Sequence, residues 1–120
     1  DDMFEITNLK VLMNFKGNQS MPVRNVTIRG ITFQDAAYTE FEPHAMPSGG
    51  DWTIQRIGAI TIEGVENFNI TQNVFTRNDG LGIILNRYNR NVTIEKNEFV
   101  WNVYLISVSP FRGLFGSITL

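Results

Sequence analysis

The sequence predicts an all-β chain, a parallel β-solenoid of about four coils with one large inserted loop. Three observations predict it. A nine-residue segment recurs three times, a second stretch repeats at the same offset, and asparagine and glycine punctuate both at fixed places. The copies are Asn25-Val26-Thr27-Ile28-Arg29-Gly30-Ile31-Thr32-Phe33, Asn67-Phe68-Asn69-Ile70-Thr71-Gln72-Asn73-Val74-Phe75 and Asn91-Val92-Thr93-Ile94-Glu95-Lys96-Asn97-Glu98-Phe99. The second and third lie 24 residues apart. That spacing fits one coil of stacked short strands.

The same 24-residue shift carries Gly58-Ala59-Ile60-Thr61-Ile62 onto Gly82-Ile83-Ile84-Leu85-Asn86, and Asn78 onto Asn102. A weaker copy opens the chain at Ile6, Leu9 and Val11. Within each copy apolar and polar residues alternate, as in a half-buried strand. Stacking at ~4.8 Å then sets Ile28, Ile70 and Ile94 in one apolar column and Phe33, Phe75 and Phe99 in another. Asn73 and Asn97 share a bend, where their amides bond to turn backbone and to each other; Ile31 stands there in the first copy, so this ladder starts at the second. Asn25, Asn67 and Asn91 read as turn residues, and Asn78-Asp79-Gly80 as a further corner. No long stripe of helical period competes.

Composition excludes several classes. The chain has 120 residues, a net charge of -2 and a pI near 5.3, unlike an electrostatic nucleic-acid binder. No cysteine is present, which removes disulfide scaffolds, thiolate nucleophiles and Cys-ligated zinc. The single histidine, His44, cannot build a multi-histidine metal site. The chain begins Asp1-Asp2 without a signal-peptide pattern, and no run reaches the ~20 apolar residues of a membrane helix. Sequons stand at Asn18, Asn25, Asn69 and Asn91. Two are by-products of the repeated Asn-Val-Thr, and Asn18, in a polar loop, is the best acceptor.

The stretch from Gly58 to Phe75, with its counterpart from Gly82 to Phe99, resembles the right-handed parallel β-helix repeat proteins of the pectin-lyase-like superfamily. The run Pro43-His44-Ala45-Met46-Pro47-Ser48-Gly49-Gly50-Asp51-Trp52, leading into Gln55-Arg56, is similar to one branch of large β-helix-domain proteins. The resemblance covers roughly residues 23 to 102 and implies coils over 1–102. The chain then reads as a fragment of a longer solenoid. Residues 103–120 break the pattern, because Tyr104 and Ile106 replace the small residues expected there. They read as a cap, or as a foreign or alternatively spliced end on a truncated coil.

Candidate chemistry gathers around a loop at 34–57, where the spacing between copies rises to 42. Loops on rigid scaffolds commonly carry function. Tyr38, His44, Asp51, Trp52 and Arg56 lie in it, with Glu63, Asp79, Arg87 and Tyr88 beneath. A glycoside hydrolase needs two carboxylates ~5 Å apart for retention, or ~6.5–9.5 Å for inversion. Asp51, Glu63 and Asp79 are the candidates, ahead of Glu66. A lyase or epimerase needs a proton acceptor, for which Tyr88 or His44 serves, and a cation such as Arg56, Arg77, Arg87 or Lys96. The clustered aspartates of polygalacturonase-like hydrolases are missing, as is a converging calcium site.

Each candidate also has a structural reading. Glu63 and Arg87 are a surface ion pair between coils, Asp79 a turn residue, and Trp52 a pin for the loop. Arg87-Tyr88-Asn89-Arg90 is a solvated turn. The catalytic set is thus Asp51, Glu63, Asp79, Arg87 and His44, and the substrate-binding set Tyr38, Trp52, Arg56 and Tyr88, with no cofactor or metal. The resulting expectation is a segment of a secreted carbohydrate-active or carbohydrate-binding protein whose partner is a glycan. The alternative is a structural module that self-associates through open solenoid ends. Nucleic acid and membrane are not expected partners.

Overall fold

Every strand pairing in the computed structural model is parallel. The structure describes residues 6–39, 42–43, 55–102, 104–108 and 118–119, the last two stretches in backbone only. The strands are β1 (Met13–Lys16), β2 (Val23–Arg29), β3 (Thr32–Gln34), β4 (Gly58–Thr71), β5 (Val74–Thr76), β6 (Leu81–Glu95), β7 (Glu98–Val100), β8 (Tyr104–Val108) and β9 (Ile118–Thr119). One sheet runs β1-β4-β6-β8, with β2 also on β4 and β9 also on β6; the second runs β3-β5-β7. Among the described residues there is no helix.

The apolar columns form as the alternation requires. Ile28 pairs with Ile70, and Ile70 with Ile94, all buried. Phe33, Phe75 and Phe99 stack with ring centroids 5.0 and 4.7 Å apart. Phe15 of β1 meets Phe68 edge-on at 4.8 Å. These side chains and Ile60, Ile62, Ile83 and Leu85 make one core cluster.

Backbone in the left-handed region recurs at five-residue steps. It occurs at Asn25, Gly30 and Asp35, again at Asn67, Gln72 and Arg77, and again at Asn91, Lys96 and Trp101. The residue after the second and third of these steps is asparagine in the two later copies. Asn73 Nδ2 donates to Asn97 Oδ1 at 3.0 Å, and Asn78 Nδ2 to Asn102 Oδ1 at 2.8 Å. The ladders end above on Ile31 and Ala36, whose backbone N–H groups donate to Asn73 Oδ1 and Asn78 Oδ1 at 3.0 and 3.1 Å. Asn97 and Asn102 also donate back to the preceding copy, to the carbonyls of Ile70 and Phe75 at 2.9 and 2.8 Å. Both ends of the buried Asn73 and Asn78 amides are thus bonded, which is what a buried polar group requires. Asn25, Asn67 and Asn91 form a third, exposed column, linked at 3.2 and 2.8 Å.

Four expectations need correction. The register is not uniformly 24. Ile60 sits opposite Ile83 and Ile62 opposite Leu85, an offset of 23, and the offset becomes 24 only from Val65↔Asn89 onward. A slip of one residue reverses which side chains face inward. The 24 offset would have set Asn86 opposite core-facing Ile62; the observed one sets it opposite Glu63. The extra residue is absorbed as a bulge, with Gly64 alone facing Arg87 and Tyr88. The segment Arg87-Tyr88-Asn89-Arg90 is therefore a bulged stretch inside β6 and not a turn. Buried Asn89 stitches it: Nδ2 donates to the Asn86 carbonyl at 3.0 Å, and Oδ1 accepts from Val65 N–H at 3.4 Å.

The opening stretch at Ile6, Leu9 and Val11 is no strand, and Ile6 and Leu9 are 91% and 63% exposed. Its place against β4 is taken by β1, whose inward Met13 and Phe15 pair with Ile60 and Ile62. A second insertion accompanies the large loop. Lys16 pairs with Glu63 and Val23 with Val65, so residues 17–22 face Gly64 alone. The large loop itself starts later than position 34, because Ala36 still accepts from Asp79 N–H, at 3.1 Å. Its neck is tied by buried Gln55, whose Nε2 donates to the Thr39 carbonyl at 2.6 Å. Beyond residue 102, β8 and β9 continue the parallel stacking on β6 through Ile83↔Ile106 and Ile94↔Ile118.

Candidate functional site

The outer face of the first sheet carries a cleft of about 490 Å³. Strand alternation builds it: Asn14 and Lys16 point out from β1 while Met13 and Phe15 point in. Thr61 and Glu63 do the same on β4, and Asn86 and Arg87 on β6; Arg56 adds a wall from just before β4. In-register pairing lines up Lys16, Glu63 and Asn86 across three strands. The bulge then swings Arg87 back over Glu63, and its Nη1 donates to Glu63 Oε1 at 3.2 Å. Three cations and one carboxylate thus share a cleft on a chain of net charge -2.

Asn86 is the wall residue with the least freedom. It is 6% exposed, and its Nδ2 donates to the Arg56 carbonyl at 3.1 Å. That contact fixes which end of the amide is which, since a flip would set oxygen against oxygen. Its Oδ1 is buried with no donor among the described residues.

The structure brings together only part of the expected site. Arg56, Glu63 and Arg87 meet in the cleft. Asp79 does not line it; the residue is exposed at the corner after β5. Tyr38, 42% exposed at the loop neck, is likewise outside the cleft wall. Tyr88 faces a neighbouring cluster, donating its hydroxyl to Glu66 Oε1, while Arg24 Nε donates to Glu66 Oε2 at 2.9 Å. His44, Asp51 and Trp52 lie outside the described residues. The cleft residues not foreseen are Asn14, Lys16, Thr61 and Asn86. The Met13-Asn14-Phe15-Lys16 alternation was the available signal for the first pair. Asn86 was hidden by the one-residue register error. Trp101, 82% exposed and in left-handed backbone, was also unmarked.

Glu66 is held below its ordinary value, first by the Tyr88 hydroxyl and then by Arg24; the same bond raises Tyr88. Asp35 is lowered by Arg77, whose Nε and Nη2 each donate to it at 2.8 Å. Both carboxylates prefer to be ionised when folded. Their contribution is therefore complete above the unfolded values of 4.5 and 3.8, and is lost as pH falls through the lower folded values. Urea midpoints should accordingly be level from pH 7 to about 5 and drop below that. Tyr88→Phe should flatten the acid limb; an unchanged limb would remove Glu66 from the account.

Among the described residues, no helix is long and apolar enough to cross a membrane. Comparison with protein-family models, curated proteins and solved structures finds no match to this chain.

Proposed function

We propose that the chain is a segment of an extracellular carbohydrate-binding protein of right-handed parallel β-helix architecture, and that the cleft over β1, β4 and β6 holds an acidic sugar. The all-parallel pairing, the 23- and 24-residue offsets and the internal asparagine ladders support the architecture. The cleft's charge carries the functional reading: Lys16, Arg56 and Arg87 against Glu63. Such cations suit a sugar carboxylate or sulfate, and amide and hydroxyl groups from Asn14, Thr61 and Asn86 suit its hydroxyls. Binding is favoured over hydrolysis because, among the described residues, Glu63 is the cleft's single carboxylate.

Titration with acidic and neutral oligosaccharides of equal length, followed by amide shifts, tests this. Acidic ligands should move β1, β4 and β6 signals, and Lys16→Glu should weaken binding about tenfold or more. Equal binding of neutral ligands, or no effect of Lys16→Glu, would overturn it. A self-associating module is the second reading. Among the described residues β2 and β3 each pair on one side only, with β4 and β5, which leaves an open edge. Light scattering behind size exclusion separates the two: a monomer at every concentration excludes the second.

A further inference from the structure

The four sequons sit in unlike surroundings. Asn25, Asn69 and Asn91 stand on the outer face of the first sheet, inside stacked columns. Asn91 Nδ2 donates to Asn67 Oδ1 at 2.8 Å, Asn69 Nδ2 to Thr27 Oγ1 at 3.5 Å, and Asn25 Oδ1 accepts from Asn67 Nδ2 at 3.2 Å. A sugar on any of these nitrogens would leave from a column whose neighbours are one strand spacing away, ~4.8 Å.

Asn18 differs. It lies in the turn 17–22, which leaves the sheet between β1 and β2, and its neighbours Gln19, Ser20 and Met21 are exposed. Its Oδ1 accepts from Ser20 N–H at 2.9 Å, the Ser20 hydroxyl at 2.6 Å and Met21 N–H at 2.8 Å. These three bonds hold the oxygen against the loop, and among the described residues no hydrogen bond takes the Nδ2 end of this exposed side chain. They also engage the hydroxyl at the third sequon position.

We propose that Asn18 is the N-glycan acceptor of this chain and that the three sheet sequons stay bare. The proposal rests on the extracellular placement proposed above. In the transfer, Asn18 Nδ2 bonds to the anomeric carbon of a lipid-pyrophosphate-linked oligosaccharide. The anomeric C–O bond breaks, the lipid pyrophosphate departs with its electron pair, and one Nδ2 proton passes to the transferase. Transfer leaves Oδ1 an amide oxygen, able to accept the same three hydrogen bonds.

Secretion of the whole chain from a eukaryotic host, followed by enzymatic deglycosylation in ¹⁸O water and peptide mass spectrometry, tests this. The label should fall on the peptide holding residue 18, with at most traces at 25, 69 and 91. Asn18→Gln and Ser20→Ala should each abolish the glycan, and unfolding midpoints of the unglycosylated variants, taken alongside, read separately what the lost Oδ1 bonds cost the turn. A bare Asn18, or comparable occupancy at any sheet sequon, would overturn the proposal. Glycan titration of the same sample keeps the two readings apart, because occupancy at Asn18 is read whether or not the cleft binds.

Discussion

Gly64→Ala should be the most damaging single substitution outside the apolar core. A Cβ at Gly64 would lie 2.1 Å from the Gly17 carbonyl carbon and 2.3 Å from its oxygen. Neither is a flexible side-chain end that swings aside. The backbone there is also left-handed, at φ 69°. The conformational cost for alanine is roughly 1–2 kcal/mol, and the overpacking about 1–3 kcal/mol more. A loss of about 2–5 kcal/mol is expected, enough to prevent folding of a marginal domain. Gly30→Ala is the control: φ is 70°, yet nothing lies within 4 Å of its Cβ position. It should lose only the conformational part, about 1–2 kcal/mol. Urea midpoints by circular dichroism compare the two. Equal losses would mean that the turn 17–22 does not press on the bulge.

The second large effect is expected at Asn73. The residue is 1% exposed, accepts from Ile31 N–H, and donates to the Ile28 carbonyl and Asn97 Oδ1, all at 3.0 Å. Alanine there orphans the part-buried Ile31 N–H and the buried Ile28 carbonyl. At about 1–3 kcal/mol for each buried unpaired group, the loss should reach about 2–4 kcal/mol. Asn69→Ala removes an amide of the same kind from the exposed face, where the one bond is 3.5 Å long. Its loss should stay within about 0.5 kcal/mol. Hydrogen exchange gives a sharper readout, since Asn73→Ala should release the Ile31 amide first. Unchanged protection at Ile31 would contradict the ladder.

Much of this architecture was legible in the residues. The columns of Ile28, Ile70 and Ile94 and of the three phenylalanines follow from alternation and the spacings of 42 and 24 between copies. The ladder's starting point follows from Ile31 standing where Asn73 and Asn97 stand later. What escaped was local. A gapless alignment cannot show a bulge, and the extra residue in β6 moved Asn86 out of the core and into the cleft wall. The strand β1 is four residues long and follows no repeat asparagine, so the alternation that turns Asn14 and Lys16 outward is too short to stand out. The candidate site suffered most from this, because it is built from outward side chains of three strands. Outward positions tolerate any polar residue, so they carry little pattern. Only their register, set by the inward residues, brings them together.

Cysteine trapping tests that register most directly, because the chain has no cysteine of its own. Neighbouring strand positions lie ~4.8 Å apart, within disulfide reach. Asn69→Cys with Thr93→Cys should bridge under mild oxidation, as should Thr61→Cys with Ile84→Cys, the first at an offset of 24 and the second at 23. Thr61→Cys with Leu85→Cys should not bridge, since Leu85 belongs to the core and Thr61 to the outer face. Bridging of that third pair in place of the second would erase the bulge and, with it, the alignment of Lys16, Glu63 and Asn86 on which the cleft depends.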